Sequence, residues 1–240
     1  MQGTFHHRVT LRILIFLSVM ISPQTDAKEG VILLHGLCRS AASMNQMATA
    51  LATAGYEVDN IDYPSRSAGI TQLSQDVIGS AMHGGKLDGC SKIHFVTHSL
   101  GGILVRSYFS RHRDARLGRV VMLGPPNQGS EVVDRLQNWR VFQWLNGPAG
   151  RELGTGTDAL PRQLGHVTFE LGVIAGDRST NWINSLMIAD RDDGKVSIES
   201  TRVVGMHDHL VVHATHPYLM KKPEVIAATL RFLQSGTFAK

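Results

Sequence analysis

A chain of 240 residues that is 42% hydrophobic and 18% charged has room for one domain with a sizeable core and is too apolar to be disordered. Its net charge is +4. The densest basic stretch, five arginines between Arg106 and Arg119, reads as a solvated helix face and loop. Nucleic acid is therefore set aside as a partner, while peripheral contact with an anionic membrane stays open.

The chain begins with a targeting pattern. Arg8 and Arg12 precede the apolar run Ile13 to Ile21, and Thr25 and Ala27 stand three and one residues before a cleavage point at Ala27–Lys28. Residues 1–27 are read as a signal peptide and residues 28–240 as the domain. The protein is then exported, to the periplasm or outside. The apolar run is short for a membrane span, which takes about 20 residues; an uncleaved anchor is the alternative.

Beyond that segment, strands and helices alternate. Val31 to Leu34 is a continuous apolar run, as expected of a strand covered on both faces. Met44, Met47, Ala48 and Leu51 follow at helical spacing, closed by Gly55. Tyr56 to Ile61 is a second strand, and Ile70, Leu73, Val77 and Ile78 mark a second helix. Lys92 to Thr97 is a strand, Leu100 to Ser110 a helix, and Arg119 to Leu123 a strand. Leu171 to Ala175 and Arg202 to Val204 are later strand candidates. Pro223 to Leu233 is a last helix, with proline in its first turn and Gly236 just past its end.

This alternation predicts an α/β fold, a mostly parallel sheet with helices on both faces and a small cap at most. Ligands in such folds bind beyond the C-terminal strand ends. Cys38 follows one such end and Cys90 precedes the opposite end of a parallel strand, too far apart for a disulfide.

Chemistry is sought just after the strands. Thr97-His98-Ser99-Leu100-Gly101-Gly102 joins a strand to a helix, the layout of a nucleophile elbow with Thr97 replacing the usual first glycine. A sharp turn there pushes the Ser99 hydroxyl above the sheet, and small neighbours avoid a clash. The plain alternative is a serine capping a helix. An oxyanion hole takes a second N–H from the loop after the first strand, so Leu37 and Leu100 are the expected pair. Gly36 and His98 flank the hydroxyl and are candidate substrate contacts, as is His35, for which a packed role bonding a nearby loop is the competing reading.

A serine needs a base and the base an orienting acid, in the chain order serine, acid, histidine. Asp193, before Gly194, is the expected acid, with Asp177, Asp190 and Asp192 as competitors. His216, shortly before the last helix, is the expected base. His209 beside Asp208 is the next choice in a segment that also holds His207 and His213. The spacing of these histidines fits no zinc pattern; no metal or organic cofactor is expected. Between Ser130 and Asp190 lie Trp139, Val141, Phe142, Trp144 and Leu145. Trp139 and Trp144 are the expected wall of an acyl pocket, against ordinary packing or membrane contact.

Together these stretches resemble bacterial lipase-like serine hydrolases of the α/β-hydrolase superfamily. The resemblance runs from residue 31 to 238. It rests on residues 33–37, on Asn60-Ile61-Asp62-Tyr63-Pro64-Ser65-Arg66, and on the elbow. It continues through Gly124-Pro125-Pro126-Asn127-Gln128-Gly129-Ser130, Asp193-Gly194-Lys195-Val196 and Thr215-His216-Pro217-Tyr218-Leu219-Met220. It implies an esterase or lipase acting on small-molecule or lipid esters. An acyltransferase, or a catalytically silent binding protein on the same fold, is the alternative. Neither oligomeric state nor natural substrate is legible.

Overall fold

The structure is a computed structural model that describes residues 28–179, 188 and 191–239; residues 1–27, expected to be a signal peptide, and Asp190 lie outside them. In chain order the first half runs β1 (Glu29–Leu34), α1 (Asn45–Thr53), β2 (Glu57–Ile61), α2 (Ile70–Ser74), α3 (Ser80–Met82), β3 (Lys92–His98), α4 (Leu100–Phe109) and β4 (Leu117–Leu123). The second half runs α5 (Glu131–Leu136), α6 (Arg140–Arg151), α7 (Leu160–Gln163), β5 (Leu171–Gly176), β6 (Asp208–Val212) and α8 (Pro223–Ser235).

The described strands form one parallel sheet in the order β2-β1-β3-β4-β5-β6. Val31 to Leu34 are fully buried, as their unbroken apolar run demands. Successive residues feed opposite faces. Ile32, Leu34, Phe95 and Met122 pack with α2, α3 and α4, whereas Val31, Leu33, Val96 and Val121 pack with α1 and α8. Each large aliphatic side chain so buried contributes about 1.5–3 kcal/mol.

The stretch from Ile70 to Met82 departs from a plain helix. A π-helical turn, Gln75–Gly79, separates α2 from α3, yet Ile70, Leu73, Val77 and Ile78 all remain buried. The strand expected at Arg202–Val204 is corrected. Glu199–Thr201 form a 3-10 turn, Val203 to Met206 close a second turn through Gly205, and the last strand is β6. β6 lies at the sheet edge, so its half-exposed Asp208 and His209 mask the strand pattern. Cys90 packs beside Gly30 at the start of β1, and Cys38 lies beyond that strand's far end.

The basic stretch also needs one correction, because Arg106 is buried. Its guanidinium donates to the backbone carbonyls of Asn127, Pro161 and Gly165 at 2.7–2.9 Å. Burial lowers its pKa to about 10, which leaves it charged near neutral pH. It thereby ties α4 to the loop after β4.

Candidate active site

Ser99 stands between β3 and α4 with φ 51° and ψ −116°, a left-handed conformation costing about 1–3 kcal/mol in a residue with a side chain. The turn is held by the Ser99 N–H donating to the Leu123 carbonyl at 2.9 Å. Its packing explains the small residues that follow. A Cβ at Gly101 would stand 2.7 Å from the Leu34 carbonyl oxygen, and one at Gly102 would stand 3.0 Å from the Met122 sulfur. Thr97 is accommodated fully buried in the sheet.

The loop after β1 lies beside this turn. A Cβ at Gly36 would meet His98 Nδ1 at 2.6 Å and Ser99 Cβ at 3.3 Å, so only glycine fits there without displacing a neighbour. The loop is fastened from its outer side. Tyr63 Oη donates to the His35 carbonyl at 2.6 Å, and Ser65 Oγ accepts from the Cys38 N–H at 3.1 Å. The N–H groups of Leu37 and Leu100 have no acceptor among the described residues; Leu100 opens α4, where the first N–H groups lack helical partners.

His35 is not a substrate contact. It is fully buried, stacks on Tyr63 with ring centroids 4.1 Å apart, and donates from Nδ1 to the Gly36 carbonyl. Its Nε2 accepts from the Tyr63 N–H, and burial lowers its pKa, keeping the ring neutral. His98 does line the cavity described below. Its Nε2–H donates to the His216 carbonyl at 3.0 Å, and burial with the nearby His216 holds its pKa well below the usual range.

His216 and Asp193 form a buried pair, 4% and 1% exposed, with Nδ1 and Oδ2 2.6 Å apart. The other carboxylate oxygen accepts the N–H groups of Lys195 and Val196 at 3.0 and 2.9 Å. A carboxylate that only accepts fixes the histidine proton on Nδ1 and leaves a lone pair on Nε2. Gly124, which stands in a stretch that carries the resemblance but was given no site role, makes room for the pair. A Cβ there would lie 3.1 Å from both Asp193 Oδ2 and His216 Nδ1.

The competing groups lie elsewhere. Asp177 binds His213 and Arg191. His209 bonds Thr201 Oγ1, and His207 accepts from the Leu171 N–H. Asp192 accepts from the Gly194 N–H at 2.6 Å. Among the described residues no three metal-ligating side chains converge.

Ser99, His98, Asp193 and His216 share a cavity of about 290 Å³ with Leu37 and the apolar side chains of Val132, Val133, Phe142 and Leu153. Trp139 and Trp144 do not line it; they are 65% and 77% exposed. Phe142 and Asn146 face it from α6, four residues apart and so on one helix face, whereas Trp144 is turned away. A wider groove of about 780 Å³ lies at the opposite end of the sheet, beside Lys92 and Leu117. Its Ser110 hydroxyl is committed to the Ser107 carbonyl, so the smaller cavity is the chemically equipped one.

The fold is shared with characterised hydrolases. The mature lipase BlEst2 of Bacillus licheniformis superposes with a TM-score of 0.63 at 21% identity, over 87% of this chain and 93% of that one. Phospholipase PlaB of Legionella pneumophila gives 0.69 at 15% identity, over 88% of this chain but 60% of that one. The metagenomic carboxyl esterase MGS0156 gives 0.63 at 18% identity, over 81% and 66%. No curated protein sequence matches the chain. Residues 30–160, more than half of the chain, match the palmitoyl protein thioesterase family; the match takes in Leu37 and Ser99 and ends before Asp193 and His216. The chain therefore belongs to the palmitoyl protein thioesterase family, a family of ester-bond hydrolases built on the α/β-hydrolase fold.

Proposed function

We propose that this protein is an exported serine hydrolase that cleaves oxygen esters or thioesters of medium, lipid-like acyl chains. The observation that carries the reading is the buried His216–Asp193 pair, bonded at 2.6 Å and sharing one cavity with a serine on a left-handed elbow. Ser99 Oγ attacks the acyl carbon while its proton passes to His216 Nε2. The imidazolium is stabilised by Asp193, and the oxyanion by the Leu37 and Leu100 N–H groups, an effect of about 3 kcal/mol per donor. The bond from the acyl carbon to the leaving oxygen or sulfur then breaks, and His216 gives that atom the proton. Water attacks the acyl-serine by the same route in reverse, releasing the acid and restoring Ser99.

Thioesters enter the proposal through the family name, lipid-like acyl groups through the apolar walls. A cavity of about 290 Å³ is at the lower end for small-molecule sites, which favours medium chains. What supports export is the apolar run that follows Arg8 and Arg12 and stands ahead of Ala27. The test is hydrolysis of p-nitrophenyl esters and acyl thioesters of graded length by residues 28–240, with Ser99→Ala alongside. Turnover that peaks at a medium chain and disappears with Ser99 is expected. Wild-type turnover retained in Ser99→Ala would refute the mechanism.

A further inference from the structure

We propose that Arg39 and Lys195 form an anion-recognition rim that selects substrates with a phosphate-bearing leaving group. This rests on the reading of Ser99 as nucleophile and adds the class of group it expels. The cavity is divided in character. Val132, Val133, Phe142 and Leu153 give an apolar wall suited to an acyl chain, while Arg39 and Lys195 line the same cavity and are exposed. With the acyl chain against that wall, the leaving group is the part directed to the exposed mouth.

Among the described residues the two cations are uncommitted. Elsewhere on this surface Lys28 pairs with Glu57, Arg119 with Glu170 and Arg202 with Glu199. Among the described residues neither Arg39 nor Lys195 has an ion pair, and the one carboxylate lining the cavity, Asp193, is buried and spent on His216.

They are also well placed. The Arg39 N–H donates to the Gly36 carbonyl, two residues from Leu37. The Lys195 N–H donates to Asp193 Oδ1, and its carbonyl accepts from Ser130 Oγ. Each side chain thus springs from a pinned backbone point beside the reacting groups. Both charges help to disfavour protonation of the buried His98 next to Ser99, so their field reaches the site. Arginine offers a fork that matches phosphate oxygens, and lysine adds a point charge.

The test compares substrates that share an acyl group and a scissile bond. One pair is octanoyl glycerol phosphate against octanoyl glycerol. The other is octanoyl coenzyme A against octanoyl N-acetylcysteamine. In the wild type kcat/KM is expected to favour the phosphate-bearing member by about tenfold, less at high salt, as for charge recognition at a solvated rim. The ratio should fall toward one in Arg39→Gln/Lys195→Gln. It should hold in Arg111→Gln/Arg113→Gln, which removes the same charge from the far groove. A preference confined to the first pair identifies a glycerophosphate headgroup, one confined to the second a nucleotide thiol, and either supports the rim. Hydrolysis of the neutral members with no preference for phosphate, or a preference that survives the rim variant, would overturn the proposal alone. Hydrolysis of no member of either pair would overturn it together with the hydrolase reading.

Discussion

A histidine can take a proton from a serine only through a nitrogen that holds a lone pair, and Asp193 decides which nitrogen that is. Oδ1 is occupied by the N–H groups of Lys195 and Val196, so the carboxylate meets His216 Nδ1 through Oδ2. In Asp193→Asn the amide oxygen keeps the two backbone bonds and the NH₂ group faces Nδ1. The imidazole must then carry its proton on Nε2, where it cannot accept from Ser99. We expect kcat to fall by about 10⁴-fold with the fold retained. Ester hydrolysis and thermal melting, measured together, check this; near-wild-type turnover would remove Asp193 from the mechanism. Such a pair is legible in sequence only as a choice among several carboxylates and histidines, because nothing in their spacing says which two meet.

At the scale of elements, α6 supplies part of the cavity wall. Its helical path breaks at Gly147, at φ 64°, and Pro148 follows. The turns before the break put Phe142 and Asn146 toward the cavity and Trp144 toward solvent, and the Asn146 side chain donates to the Phe142 carbonyl at 2.8 Å. Phe142→Ala is expected to lower kcat/KM for the preferred acyl chain about tenfold and to move the optimum toward longer chains. Trp144→Ala should leave the chain-length profile in place. A panel of p-nitrophenyl esters reads both, and an unchanged profile in Phe142→Ala would rule out that wall. Tryptophans attract attention by their size, but residues two apart on a helix face opposite ways, and only the docking of α6 selects the inward side.

Across the whole molecule, folding hides several histidines in neutral form. His35, His94, His98 and His209 all have lowered pKa values, chiefly because burial penalises their charged form, and His209 is lowered to about 4. In the unfolded chain each returns to about 6.5. Between those values the unfolded state binds more protons, so stability rises with pH. The contribution is complete above about pH 6.5 and is lost on acidification toward the folded pKa. The melting temperature should therefore fall by several degrees from about pH 7 to pH 5. His209→Gln, which retains a donor for Thr201 Oγ1, should fall less steeply. Scanning fluorimetry across that range decides it; parallel curves for the two proteins would show that His209 is not the source.

The parallel sheet, the elbow and the loop after β1 were readable in the sequence because each is dictated locally. An apolar run such as Val31 to Leu34 can be stable only between two layers, and Gly101 and Gly102 leave room where a side chain would strike Leu34 or Met122. The edge strand β6 escaped because a half-exposed strand has no such compulsion. Asp193 and His216 could be named as candidates, but their meeting depends on β5, β6 and the loops that follow them packing into one sheet. Arg106, Tyr63 and Gly124 act through partners 21–92 residues away, and the Arg39–Lys195 rim spans the chain from the first strand to the acid loop. Local spacing fixes which groups the chain owns; which of them share a cavity is decided by long-range packing, because only the folded sheet brings the C-terminal strand ends together.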